Sequence, residues 1–291
     1  MNRKRLLREK SMKMRFSVLM SVYFKESADN LDQALQSLIN QSLKPDEIVL
    51  VKDGVLTTDL EKVIERFVKL NTSVVVNVIS IAQNRGLGNA LFVGLNACTH
   101  DYVARMDSDD ISDFYRFEKQ IEFLKEHPHV DVVGCNLSEF DREIGDSMLK
   151  KVCPESHEDI IRRIRLRSPL NHPTIMFNRK KVLAAGGYDS ETLMFEDYAL
   201  FLRLWKSGLI FHNIPEILYY MRVDSNLNSI RRRRGSAYLL NEINFLKYAY
   251  KIGAFTKRDQ LKYGILRFPI RLMPIRVVFL IYKYLLRKKK V

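Results

Sequence analysis

The 291-residue chain is poor in cysteine, has one tryptophan and holds no long apolar run. Its three cysteines, Cys98, Cys135 and Cys153, are odd in number, far apart and never in a CxxC pair. That argues against a disulfide framework and reads as a reduced, cytosolic chain. The six histidines form no zinc-type spacing with them. Near the C-terminus the longest unbroken apolar run is Val277 to Tyr282, where a spanning helix needs roughly 18 residues. The opening MNRKRLLREKSMKMR is basic, but no apolar run follows it, so no signal peptide is expected. Hydrophobic residues at 46% and charged residues at 28% exclude a disordered or low-complexity chain and supply enough apolar surface for a large core.

Acidic residues are the minority: 34 Asp+Glu face 48 Lys+Arg, a net charge of +14. The surplus sits at the ends. Residues 1–15 hold seven Lys+Arg and one Glu, and residues 230–291 hold seventeen Lys+Arg and two acids. The body between them is therefore mildly acidic. A nucleic-acid enzyme carries its positive charge along a groove of the body. Basic ends on an acidic body suit a protein held against an anionic membrane surface.

Hydrophobic periodicity predicts strands and helices in alternation. Phe16 to Tyr23, Glu47 to Lys52, Val74 to Ile81 and Asp101 to Met106 read as buried strands. Between them, helices are expected from Leu31 to Ile39, from Thr58 (a candidate cap) to Leu70 and from Gly88 to Cys98. Tyr115 to Glu126 reads as a helix, Val130 to Ser138 as a strand, and Thr174 to Asn178 as a short strand after Asn171-His172-Pro173. Glu196 to Lys206 is a further helix, Leu209 to Asn213 and Ile217 to Arg222 are strands, and the chain from about 232 is helical and basic. Such alternation predicts a mostly parallel sheet covered by helices, which binds ligands at the carboxyl ends of its strands. Asp53 and the cluster Asp107-Ser108-Asp109-Asp110 both fall at such ends.

Each acidic feature has two readings. Asp107 and Asp109 can share one divalent cation, Mg²⁺ or Mn²⁺ by their oxygen ligands, or DSDD can be a solvated turn that caps a helix. Asp53-Gly54 can be a turn, or its carboxylate can accept an N–H from a nucleobase. In Asn84-Arg85-Gly86-Leu87-Gly88 the glycines can admit a phosphate and Arg85 can meet a phosphate or base, but neither a Walker loop nor a GxGxxG is present. Glu196-Asp197 can be acids favoured at a helix N-terminus, or they can include a general base for an acceptor hydroxyl.

Taken in order, SVLMSVYFKE, QSLKPDEIVLVKDG, QNRGLGNAL, DYVARMDSDDI, YRFEKQIEFL, NHPTIMF, AAGGYD and FEDYALFLRLWKSG resemble glycosyltransferase family 2 over roughly residues 15–223. The chain looks most like the bacterial subgroup that builds O-antigen and capsule repeat units. The resemblance implies an α/β GT-A fold: a Rossmann-like, mostly parallel central sheet with helices on both faces. It implies inverting transfer of a hexose, galactose before glucose, from a UDP-sugar to a GlcNAc-diphosphoundecaprenol-type acceptor, with Mn²⁺ or Mg²⁺ as cofactor. By position, Ser21, Tyr23 and Asp53 would hold the uracil, and Arg85 would sit beside the nucleotide. Asp107 would lie near ribose and metal, Asp109 would be the main metal ligand, Asp197 the general base, and Glu196 would help place the acceptor. There are departures. Lys52 stands where relatives often have a first Asp before Asp53, Ser21 stands where a proline is common, and Val223-Asp224-Ser225-Asn226 lacks a histidine that many relatives have. The Gln-x-x-Arg-Trp motif of processive polymerases is absent, Trp205 being the one tryptophan.

The expected organisation is a basic segment at 1–15, a catalytic domain at 16–230 and a basic helical extension at 231–291. Beyond Pro274, Arg276, Lys283, Arg287 and Lys290 share one helical face and apolar residues cover much of the rest. That suits an interfacial helix on the inner face of the bacterial cell membrane; the alternative is a helix packed on the catalytic domain. Arg231 to Arg234 can meet a diphosphate or simply be solvated. Two other function classes match the sequence less well. A sugar nucleotidyltransferase needs a Gly-rich phosphate loop after the first strand, and Tyr23-Phe24-Lys25-Glu26 is not one. A basic nucleic-acid-binding protein is disfavoured by the acidic body, so no nucleic-acid partner is expected.

Overall fold

The computed structural model describes residues 14–188, 192–223 and 234–273. The N-terminal basic segment to residue 13, residues 189–191 and 224–230, Arg231 to Arg233 and the segment from Pro274 lie outside the described residues.

The chain runs β1 (Phe16–Val22), α1 (Ala28–Ile39), β2 (Glu47–Asp53), α2 (Thr58–Leu70), β3 (Val75–Ile81), α3 (Leu87–Ala97) and β4 (Tyr102–Met106). It continues with β5 (Ile111–Ser112), α4 (Arg116–Glu126), β6 (Val132–Phe140), β7 (Lys150–Lys151) and α5 (His157–Arg163). A 3₁₀ turn at His172–Thr174 leads into β8 (Met176–Asn178), α6 (Arg179–Ala184), α7 (Glu196–Lys206), β9 (Phe211–Arg222), α8 (Ser236–Lys251) and α9 (Lys257–Leu272).

One mixed sheet has the order β3-β2-β1-β4-β8-β6-β9-β5, with β7 beside β6. The first four strands in that order are mutually parallel. β8 is antiparallel to both β4 and β6, and β6 and β9 are parallel. Because side chains alternate along a strand, Val18 and Met20 enter one core while Leu19 enters the other. α1, α2 and α4 cover the first face; α3, α5, α6 and α7 cover the second. The fold is thus the α/β sheet with helices on both faces that the sequence predicts.

Local detail differs in places. α2 buries Leu60, Val63, Ile64 and Phe67 at helical spacing, and each such side chain contributes about 1.5–3 kcal/mol. Its cap is Thr57 rather than Thr58: the Thr57 hydroxyl accepts the Leu60 N–H at 3.4 Å. From sequence, residues 209–222 read as two strands. They form one, in which Cys135 pairs with Ile214 and Asn136 with Ile217, so Pro215 and Glu216 bulge out. A proline cannot donate to the ladder, and a bulge removes that demand.

A third core joins α8 and α9 to α7 through Phe195, Tyr198, Phe245, Phe255 and Tyr263. Between these helices Glu242 is fully buried. It accepts the Tyr263 hydroxyl at 3.0 Å and two Arg271 N–H groups at 2.9 Å, so its charge is compensated and α9 is fastened to α8.

α3 lies close on the sheet. A Cβ at Gly94 would come within 2.4 Å of Leu19 Cδ1 and 2.8 Å of Val51 Cγ2, both side chains buried. Gly94→Ala gains about 0.5–1 kcal/mol from helix propensity, but overpacking costs about 1–3 kcal/mol and outweighs it. We expect urea unfolding of this variant to show a net loss of about 1–2 kcal/mol.

Candidate active site

Parallel pairing brings the ends of β1, β2 and β4 to one edge of the sheet, where Val22 pairs with Lys52 and Met20 with Met106. Ser21 and Tyr23 lie half-buried at the end of β1. Asp53 ends β2, is buried, and its carboxylate accepts the backbone N–H groups of Arg85 (2.8 Å) and Gly86 (2.9 Å). Asn84 Nδ2 also donates to the Asp53 carbonyl, at 3.2 Å. Asp53 thereby fastens the Asn84–Gly86 loop, whose Arg85 side chain is exposed. Gly54 is required here: its φ is +89°, and a Cβ would meet the Asn84 backbone nitrogen at 2.7 Å.

Past β4 the carboxylates converge. One oxygen each from Asp107, Asp109 and Asp110 lies within 4.8 Å of the others. Burial, then the charges of Asp107 and Glu26, push the Asp109 pKa up to about 7. Burial and the charges of Asp109 and Asp107 push Asp110 well above the carboxylate range. Asp110 Oδ1 accepts the Arg222 N–H at 2.7 Å, while its buried Oδ2 has no hydrogen-bond partner among the described residues. Arg222 Nε donates to the Asp109 carbonyl at 2.9 Å, so β9 braces the cluster. Ser108 donates to Glu26 Oε2 at 3.0 Å and ties the cluster to the loop after β1. Clustered carboxylates that resist joint ionisation, with an orphan oxygen among them, form an oxygen-only set that fits a hard divalent cation.

Two buried arginines lie beneath. Arg105 is 1% exposed and ion-paired with Asp107. Burial alone would lower its pKa, but the charge and hydrogen bond of Asp107 outweigh burial and Arg105 stays cationic. Arg116 is fully buried and donates from Nη2 to the carbonyls of Arg105 (2.8 Å) and Pro173 (3.2 Å), joining β4 to the Asn171-His172-Pro173 turn. His172 Nε2 lies 2.7 Å from the Tyr188 hydroxyl, so that turn is also linked to the Gly-Gly-Tyr stretch. Burial, reinforced by Arg105, holds His172 well below its ordinary pKa and therefore neutral.

Glu196 and Asp197 open α7, where the helix N-terminus favours acids. Asp197 Oδ1 accepts the Tyr198 N–H at 2.6 Å. Just before them Met194 takes a φ of 64°, rare for a residue with a side chain and a mark of local strain. Burial, then the neighbouring Asp197, push Glu196 up to about 7; Arg105 opposes the shift and Asp107 adds to it. The acid pair and the Asp107 cluster thus share one electrostatic environment around Arg105.

The family description "Glycosyl transferase family 2" matches residues 17–187, more than half the chain. The chain belongs to glycosyltransferase family 2. It is 41% identical over 270 residues to the amylovoran biosynthesis glycosyltransferase AmsE of Erwinia amylovora, covering 92% of this chain and 98% of that one. It is 35% identical over 275 residues to the Escherichia coli UDP-Gal:alpha-D-GlcNAc-diphosphoundecaprenol beta-1,3-galactosyltransferase, covering 94% and 97%. Two solved structures share the fold. The S. aureus TarS fragment 1–349 with UDP-GlcNAc has a TM-score of 0.58 at 22% identity, over 73% of this chain and 60% of that one. The chain spans 45% of the longer TarS chain. The Pyrobaculum calidifontis mannosyltransferase PcManGT, with GDP-Man and Mn2+, has a TM-score of 0.58 at 15% identity, over 98% and 87%. The GT-A architecture and the glycosyltransferase class expected from sequence both stand.

In this glycosyltransferase Asp107 and Asp109 meet as the sequence predicts, while Asp53 and Arg85 form a separate group held by the backbone. Sequence reasoning assigned no role to Arg105, Arg222 or Glu26 and left Asp110 out of the ligand pair. The signal for Arg105 was available: a cation in the otherwise apolar strand YVARM needs a buried anion.

The Glu196 shift fixes a sign. Between its ordinary 4.5 and about 7, the folded chain holds a proton that the unfolded chain has lost. The stabilisation is complete below pH 4.5 and is lost as pH rises towards 7. Urea titrations of wild type and Glu196→Gln should diverge over that window, the wild type losing on the order of 2 kcal/mol relative to the variant.

Proposed function

We propose that this glycosyltransferase transfers a hexose, galactose first and glucose next, from a UDP-sugar to a GlcNAc-diphosphoundecaprenol-type acceptor, with inversion, in bacterial O-antigen or capsule synthesis. The observation that carries this reading is the convergence of Asp107, Asp109 and Asp110 at the strand edge, sharing Arg105 with the acid pair Glu196-Asp197. The E. coli relative's name supports the donor and acceptor class, and AmsE supports polysaccharide synthesis.

In the proposed cycle Ser21, Tyr23 and Asp53 hold the uracil. Both Asp53 oxygens accept loop N–H groups, and each keeps a second lone pair for a base N–H. Arg85 sits beside the nucleotide and Asp107 beside the ribose. Asp109, with Asp107, would hold Mn²⁺ or Mg²⁺, which when bound offsets negative charge on the leaving diphosphate. Glu196 places the acceptor, and Asp197 takes the proton of its hydroxyl. The hydroxyl oxygen attacks the anomeric carbon from the side opposite UDP, the bond to UDP breaks, and an α-linked donor gives a β-linked product. Residues 16–230 form the catalytic domain; the basic extension at 231–291 holds the enzyme on the inner face of the cell membrane, near a lipid-linked acceptor.

Purified enzyme, assayed with UDP-Gal, UDP-Glc, UDP-GlcNAc and a GDP-sugar on a GlcNAc-diphosphate-lipid analogue, should use a UDP-hexose and stop in EDTA. Asp109→Asn and Asp197→Asn should each lower kcat by about 10³-fold with circular dichroism unchanged. Full activity in either variant would overturn the site assignment. Mn²⁺ should raise the Tm of the wild type and leave that of Asp109→Asn unmoved.

A further inference from the structure

α9 presents an apolar face outwards. Leu261, Ile265, Leu266 and Leu272 are each 61–65% exposed, and they share one side of the helix with exposed Pro269. A shallow apolar concavity of about 440 Å³ runs along this side, over Gly264, Ile265 and Phe268. The side begins with the exposed cations Lys257, Arg258 and Lys262. The opposite side is committed to the protein. Tyr263 and Arg271 hold Glu242, Gln260 Nε2 donates to the Leu246 carbonyl at 2.8 Å, and Arg267 donates to the Leu166 carbonyl at 2.8 Å. Rotating the apolar side inwards would break all of these contacts.

We infer that this face of α9 seats in an anionic bilayer surface, the leucines and Ile265 among the acyl chains and Lys257, Arg258 and Lys262 on the headgroups. The inference rests on the membrane reading above and adds to it the element and the side chains that enter the lipid. Charge selects the occupant. α9 carries five Lys/Arg and one Asp, and residues 274–291 carry six Lys/Arg and no acid. Covering the face with that segment, or with a second copy of α9, sets cations against cations. An anionic lipid surface meets both the charge and the apolar side chains. This is the arrangement of an interfacial helix, with the unusual feature that its other side is already packed on a folded domain.

The test uses the full chain with vesicles of phosphatidylcholine alone and of phosphatidylcholine with 30 mol% phosphatidylglycerol. Wild type should float with the anionic vesicles, and Leu261→Glu/Ile265→Glu/Leu266→Glu should lower its partitioning by at least about tenfold. All three side chains are exposed, so the variant should keep the wild-type Tm and its rate on a water-soluble acceptor. Ile265→Trp should show emission quenched by brominated lipid, beyond the Trp205 background of wild type. Flotation of wild type without that quenching, or a triple variant that partitions like wild type, would overturn the inference and leave the membrane reading intact. No flotation of wild type would remove both. A concentration-dependent dimer lost in the triple variant, with no flotation, would assign the face to a second copy.

Discussion

Concentrated negative charge at the sheet edge is the constraint on which the rest of the site depends. Three carboxylates share a small, poorly hydrated space after β4, and another acid pair opens α7 nearby. Mutual repulsion in such a place is expensive, and protons or cations must relieve it. The fold sets a permanent cation, Arg105, against Asp107 from beneath, and directs the Arg222 N–H at Asp110 from the side. The remaining demand faces outwards, towards whatever binds. Charge on the cluster and charge on the acid pair are therefore linked, because both sense Arg105.

The rigidity behind the cluster comes from groups that never reach the edge. Arg116 is sandwiched near the rings of Phe117 and Tyr219, at 5.1 and 5.0 Å, and donates to the Arg105 and Pro173 carbonyls and to Gln120 Oε1. Its charge is costly to bury, and burial lowers its pKa accordingly. What it secures is the position of β4 relative to the His172 turn. The neutral His172 then carries that alignment to Tyr188 through one buried hydrogen bond.

Much of the fold was legible in the sequence, for a local reason. β1 and β2 are nearly unbroken apolar runs, α2 repeats its apolar residues at helical spacing, and both signals survive in a window of ten residues. Asp107 and Asp109 were legible because they are neighbours in the chain. Glu26 and Arg222 were not, since they reach the cluster only through tertiary folding, 82 and 112 residues away in sequence for their bonded partners Ser108 and Asp110. β9 was misread as two strands because Pro215 is a strand breaker in sequence, and only its pairing with β6 shows the bulge that accommodates it. The outward apolar face of α9 was hidden by its composition, since helix periodicity cannot tell which side the rest of the molecule will cover.

The placement of Arg222 has a consequence for biogenesis. Asp110 gains its backbone donor from a residue 112 positions later, and β6 waits for β9 to complete its parallel pairing. Contacts of such sequence separation carry a larger loop-closure cost than the local pairing of β1 with β2. A nascent chain on the ribosome therefore displays the three acids before it can arrange them, and the site matures only when the last strand of the sheet has been delivered.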